Sequence, residues 1–181
     1  GQKERKKDVG DFLGFAWFFS AISGNIGVGK TTICHGLAKA IPNSILLEEK
    51  FKENPFLDKF YHEMARVGAD KYNKYAFPVQ MEFLKHRIER EAQNAQSENK
   101  IAIIDRCLLE DKLIFAENQR RNNLITEDEY LKYERYFDEH TQGLTHLDVL
   151  IYLSADVSVL AERIKNRNRK MEQSIDLSYL S

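Results

Sequence analysis

The 181-residue sequence predicts a single α/β domain with a central parallel sheet flanked by helices. Two observations carry this. Short apolar runs of strand length alternate with longer segments of helical periodicity. Two of those runs, residues 101–104 (IAII) and 149–153 (VLIYL), are unbroken, as in strands covered on both faces. Composition bounds the rest. With 43% hydrophobic and 30% charged residues, nine glycines and three prolines, the chain is not collagenous, low-complexity or globally disordered. Its 27 Lys+Arg against 28 Asp+Glu give a net charge of -1, so no global basic field suits a nucleic-acid partner and any anion site must be local. Two cysteines, Cys34 and Cys107, are too few for a disulfide framework or a zinc site of their own. They favour a reducing, cytoplasmic compartment.

Taken in order, residues 1–11 (GQKERKKDVGD) read as a flexible polar tail, and residues 12–181 as the domain. Residues 12–23 (FLGFAWFFSAIS) imitate a secretory leader, but they fall short of the roughly 20 apolar residues of a membrane span. They also feed directly into GNIGVGKTT, so the run is expected to be a buried first strand, and no membrane partner is expected. Ile33, Leu37 and Ile41 then recur at helical spacing until Pro42-Asn43. Residues 44–47 are a short second strand ending in Glu48-Glu49. Asn54-Pro55 offers a cap and a first-turn proline for a helix to about Arg66, and Gly68 breaks it. Phe77, Met81, Leu84, Ile88, Ala92 and Ala95 form an apolar stripe on a helix of about five turns, which Pro78 can join only near its start. The strand at 101–104 ends in Asp105-Arg106, and a helix carrying Leu113, Ile114 and Phe115 follows. Thr126 to Glu129 is a capping box for a helix reaching the region of Gly143. The strand at 149–153, expected to be buried, precedes a last helix with Leu160, Ala161 and Ile164.

Gly24, Asn25, Ile26, Gly27, Val28, Gly29, Lys30 and Thr31, followed by Thr32, match G-x-x-x-x-G-K-[ST] between a strand and a helix. A chance match in a chain this long is on the order of one in a hundred or less. Such a loop turns its backbone N–H groups around a β-phosphate and adds the following helix dipole. Its lysine reaches the β/γ oxygens and its threonine offers a hydroxyl to Mg²⁺, so the sequence predicts nucleoside triphosphate binding. Glu48 or Glu49, at a strand's carboxyl end, is placed to accept a proton from an attacking hydroxyl. Asp105 can hold Mg²⁺ or its waters while Arg106 meets a transferring phosphoryl group. Arg163, Arg167 and Arg169 are spaced to close over phosphates as an Arg-rich lid. Gln80 and Arg87, two helical turns apart, can read a planar ligand together with Asp111.

The segments GNIGVGKTT, LLEEKFKENPFLDKFY, YAFPVQMEFLKHR, IIDRCLLED and RIKNRNRKMEQSI resemble the deoxynucleoside kinase family, in particular its bacterial deoxyadenosine/deoxyguanosine kinase branch. The resemblance implies a P-loop kinase fold, ATP and Mg²⁺, a deoxynucleoside acceptor with purines preferred, and a homodimer joined through helices. It implies Glu49 as general base, with Glu48 as the fallback, and Arg106 between the acceptor hydroxyl and the phosphoryl group. Gln80 and Asp111 would recognise the base with support from Arg87, Tyr61 and Glu172 would hold the sugar 3′-hydroxyl, and Arg167 and Arg169 would be lid arginines. Three features depart from the family pattern: Cys107 stands where a serine is usual, residues 64–73 look like an insertion, and the chain stops soon after the lid. A nucleoside monophosphate kinase such as a thymidylate kinase, and a catalytically inactive ATP-binding protein, are the alternatives.

Overall fold

Four parallel strands organise the chain in the order β2-β3-β1-β4: β1 (Phe18–Gly24), β2 (Ser44–Leu47), β3 (Ile101–Asp105) and β4 (Val149–Leu153). The computed structural model describes residues 18–94, 101–144 and 146–167. The expectations that fall on residues 12–17 and on Ala95, Arg169 and Glu172 therefore lie outside the described residues. β1 starts at Phe18, so only the last part of the expected run is seen as strand. Neighbouring strands run in register, with Ile22 opposite Asp105 and Leu47 opposite Ile104. All four carboxyl ends consequently lie on one edge, where open α/β sheets bind ligands.

Side chains alternate between the two faces of the sheet. Ala21, Leu47, Ala102, Ile104 and Cys107 pack in one cluster, and Ile22 and Ile103 pack in another with Cys34 of α1 (Lys30–Ala40). The buried stripe of α1 is Cys34 with Leu37, Ala38 and Ile41 partly covered, and Ile33 is exposed instead of inward. Both cysteines are buried and unbridged. β4 departs from its expected burial: among the described residues it pairs only with β1, so Ile151 and Leu153 face the α1 side while Leu150 and Tyr152 are exposed.

Among the described residues five further helices complete the fold. α2 (Leu57–Val67) ends at Gly68, and α3 (Ala76–Asn94) has 19 residues, matching the expected five turns. The expected cap of α2 is corrected, because Phe56 occupies that position and Asn54 does other work. Its Oδ1 accepts from the Phe56 N–H at 3.1 Å and its Nδ2 donates to the Val79 carbonyl at 3.0 Å, joining the turn to α3. α4 (108–121) is α-helical at Leu108–Glu110 and Glu117–Arg121, with a π-helical stretch Asp111–Ala116 between them. α5 (Glu127–His140) carries the complete capping box: the Thr126 hydroxyl accepts from the Glu129 N–H, and the Glu129 carboxylate accepts from the Thr126 N–H. It stops at His140, short of Gly143. α6 (Val157–Asn166) buries Leu160 and Ile164 against Val28 of the loop after β1.

Candidate active site

The loop between β1 and α1 turns through three glycines with positive φ. Gly29, at φ 109, caps α1, and a Cβ added there would meet nothing within 4 Å, so the helix start faces open space sized for a ligand atom. Lys30 is buried beneath it and donates to the carbonyls of Gly24 at 2.6 Å and Asn25 at 2.8 Å. Burial, with the Arg106 charge, lowers its pKa to about 7 against the raising effect of Glu110, Glu49 and Asp105. Thr31 Oγ1 donates to Asp105 Oδ2 at 2.7 Å. These are two hard oxygen donors beside an anion cradle, and no cluster of three or more His, Cys, Asp or Glu exists among the described residues. That donor set fits Mg²⁺, which binds through one or two protein oxygens while keeping waters and ligand phosphates.

A cleft of about 810 Å³ runs from this cradle along the carboxyl edge of the sheet. Of the expected site residues, Lys30, Thr31, Glu49, Tyr61, Gln80, Arg87, Asp105, Arg106, Asp111, Arg163 and Arg167 all line it. The two adjacent glutamates separate. Glu48 turns outward and pairs with His35 of α1 at 2.6 Å, with both side chains about half exposed. Glu49 turns inward, where Arg87 pairs with one carboxylate oxygen and Arg106 Nε with the other at 2.9 Å. Burial pushes the Glu49 pKa up, but the Arg87, Arg106 and Lys30 charges outweigh it and hold the carboxyl below the usual range. Arg87 also pairs with Asp111, so one guanidinium bridges both carboxylates. Arg163 reaches from α6 to the Val28 carbonyl at 2.9 Å, tying that helix to the loop.

Several residues here escaped sequence reasoning. Glu110 is buried, accepts from the Gly24 N–H at 3.3 Å and pairs with Arg106. Phe115 lies under the Arg106 guanidinium at 4.4 Å, and Phe83 under that of Arg87 at 5.3 Å. Arg90 donates to the carbonyls of Leu47, Glu48, Asp105 and Arg106, stapling the ends of β2 and β3 together. Gln119 lines the cleft fully buried. Only the acidic pattern of RCLLED hinted at Glu110; the other contacts carry no signal in one sequence.

Comparison with known proteins adds context to this geometry. The deoxynucleoside kinase family model matches residues 20–181. The deoxyadenosine/deoxycytidine kinase of Bacillus subtilis is 32% identical over 160 residues, covering 87% of this chain and 69% of that protein. The deoxyguanosine kinase of Dictyostelium discoideum is 32% identical over 167 residues, covering 88% and 54%. Deoxyadenosine kinase from M. mycoides, solved with dCMP and a flexible dCDP, superposes with a TM-score of 0.73 at 28% identity, covering 90% of this chain and 78% of that one. The same enzyme with bound dATP gives 0.72 at 27%. The chain thus spans about half to three quarters of the length of these relatives.

Proposed function

The chain belongs to the deoxynucleoside kinase family, and from that premise we propose that it transfers the γ-phosphoryl group of ATP to the 5′-hydroxyl of a 2′-deoxynucleoside, with purines preferred. The observation that carries this reading is the inward Glu49, a largely covered carboxylate held by Arg87 and Arg106 in the same cleft as the Lys30 cradle. Its lowered pKa keeps it deprotonated at neutral pH, ready to accept the proton of an acceptor hydroxyl. As the 5′-oxygen attacks the γ-phosphorus, that proton passes to Glu49 and ADP departs. Lys30 and Arg106 meet the charge that spreads over the phosphoryl oxygens, and Arg163 and Arg167 close from α6. Mg²⁺, held through Thr31 and Asp105, supplies charge neutralisation on the phosphates.

Tyr61 is assigned to the sugar end, and Gln80 with Asp111 to the base, where Arg87 fixes the Asp111 carboxylate. The name of one relative, a deoxyguanosine kinase, supports the purine preference, while that of another, a deoxyadenosine/deoxycytidine kinase, spans a purine and a pyrimidine. Arg169 and Glu172 keep the lid and sugar roles that the resemblance gives them. The same resemblance assigns a homodimer joined through helices, supported by the exposed apolar Leu113, Ile114 and Leu131 on α4 and α5.

The test is labelled-phosphate transfer from Mg-ATP to deoxynucleosides and to their 5′-monophosphates, with Glu49→Gln alongside. Transfer to nucleosides that falls 10²-fold or more in Glu49→Gln is expected. Transfer to monophosphates only would overturn the reading in favour of a monophosphate kinase.

A further inference from the structure

Gln119 is completely buried, yet neither its Nε2 nor its Oε1 has a hydrogen-bond partner. Buried side-chain amides are almost always paired, because burial without a partner forfeits their hydration. Asn94 shares this condition but does not line the cleft, so it is the position of Gln119 at the cleft that points to a ligand. Gln119 lines the cleft, as does Gln80, whose Oε1 is also buried and unpaired. Two open amides in one pocket hold more hydrogen-bonding capacity than the protein itself uses.

The shape of α4 explains how Gln119 gets there. In an unbroken α-helix, residues eight apart drift by about 80° around the axis, so Asp111 and Gln119 would sit at opposite edges of one broad face. The π-helical stretch Asp111–Ala116 advances less per residue, because each bond spans i→i+5. Its lag offsets the lead of the α-helical turn that follows. Asp111, Phe115 and Gln119 consequently line the same cleft.

We propose that Gln119 is a specificity-determining residue that hydrogen-bonds a polar edge of the acceptor nucleobase, as a second amide beside Gln80. This rests on the deoxynucleoside kinase reading and extends it. A purine offers two polar edges, N1 with its 6-substituent and N7 with the same substituent, so a pocket with two open amides is matched by a bicyclic base. A site built to pair with such groups rejects analogues that lack one, because its own amide is then left unpaired.

The experiment compares the wild type with Gln119→Met, which keeps side-chain length and removes the donors and the acceptor. kcat/KM is measured for 2′-deoxyadenosine against purine 2′-deoxyriboside and 7-deaza-2′-deoxyadenosine, and for 2′-deoxyguanosine against 2′-deoxyinosine. Wild type is expected to discriminate tenfold or more in at least one pair, and Gln119→Met to lose that discrimination with its KM for ATP unchanged. The ligand-free variant should melt no lower than the wild type, since an unpaired buried amide has gone. Wild type without discrimination, unaltered discrimination in the variant, or a uniform loss with a lowered Tm overturns the role of Gln119. A wild type that phosphorylates no nucleoside overturns the kinase reading and this inference with it.

Discussion

Arg106 adopts φ 65, a left-handed backbone uncommon for a side chain of its size, in the turn directly after β3. Strain of this kind persists where surrounding contacts over-determine it. Arg106 is held by Glu49, Glu110 and the Phe115 ring. Arg106→Ala should lower kcat on the order of 10³-fold or more, by analogy with other phosphoryl-transfer arginines, while changing the nucleoside Kd far less. A paired rate and calorimetric measurement checks this, and an unchanged kcat removes Arg106 from the chemistry. Lys30 carries a second expectation. With a pKa near 7, it is largely neutral at pH 8 in the free protein, and a bound triphosphate restores its charge. ATP binding at pH 8 should therefore take up a proton, read from the dependence of binding enthalpy on buffer ionisation enthalpy. Phosphate groups, with a second pKa of about 6, do not confound the signal there. At pH 6, where Lys30 is already charged, its share of the uptake should vanish. The places of Lys30 and Thr31 at the start of the helix after the glycine-rich loop are legible in the motif, because its spacing dictates them. The inward turn of Glu49 and the outward turn of Glu48 are not legible in spacing, because they depend on Arg87 and Arg106, which arrive from other elements.

Among the elements, α3 departs most from its sequence. The apolar stripe through Phe77, Met81 and Ile88 is only partly covered, packing with α4 and α5. The inward face joins Leu84 of that stripe, fully buried, to Ala76, Val79, Gln80, Arg87, Glu91 and Asn94. Periodicity identified the helix and its length, but Arg87 is turned inward by Glu49 after β2 and Asp111 of α4, partners that periodicity does not encode. Glu91 shows the strain of that arrangement. Burial raises its pKa to about 7 despite Arg90 and Arg87. Below its ordinary pKa of 4.5 the carboxyl is neutral both folded and unfolded, so no penalty acts. Between 4.5 and about 7 the unfolded carboxyl ionises while the folded one stays protonated, so stability falls across that window and levels off above it. Glu91→Gln should thus match the wild type near pH 4.5 and be roughly 1–3 kcal/mol more stable at pH 8, by denaturant unfolding. A constant difference at both pH values would sink this account.

For the whole molecule, the sheet order decides what meets at the carboxyl edge. β1 and β3 are central, so the cradle after β1 lies directly beside Asp105 and Arg106 after β3, and next comes Glu49 after β2. The approach of β1 to β4 at that edge depends on one residue. Gly24 has φ 137, and a Cβ there would lie 2.3 Å from the Leu153 carbonyl oxygen. Gly24→Ala should destabilise the fold by roughly 2–4 kcal/mol and displace the loop that begins there. Urea unfolding and ATP binding, measured together, check both effects, and full retention of each would show that the strand ends are free to separate.

The sequence by itself determined the α/β class, every described strand, the glycine-rich loop and the meeting of Lys30, Arg87, Arg106 and Asp111 in one cleft. Each of these rests on local information: apolar runs, turn residues and fixed motif spacing. Tertiary structure alone decided that β4 lies exposed at an edge, that α3 buries its polar face, that α4 needs a π stretch and that Gln119 enters the cleft. Those outcomes depend on which surfaces and charges meet across the fold, and such meetings are set by packing between segments far apart in the chain, where no local pattern reaches.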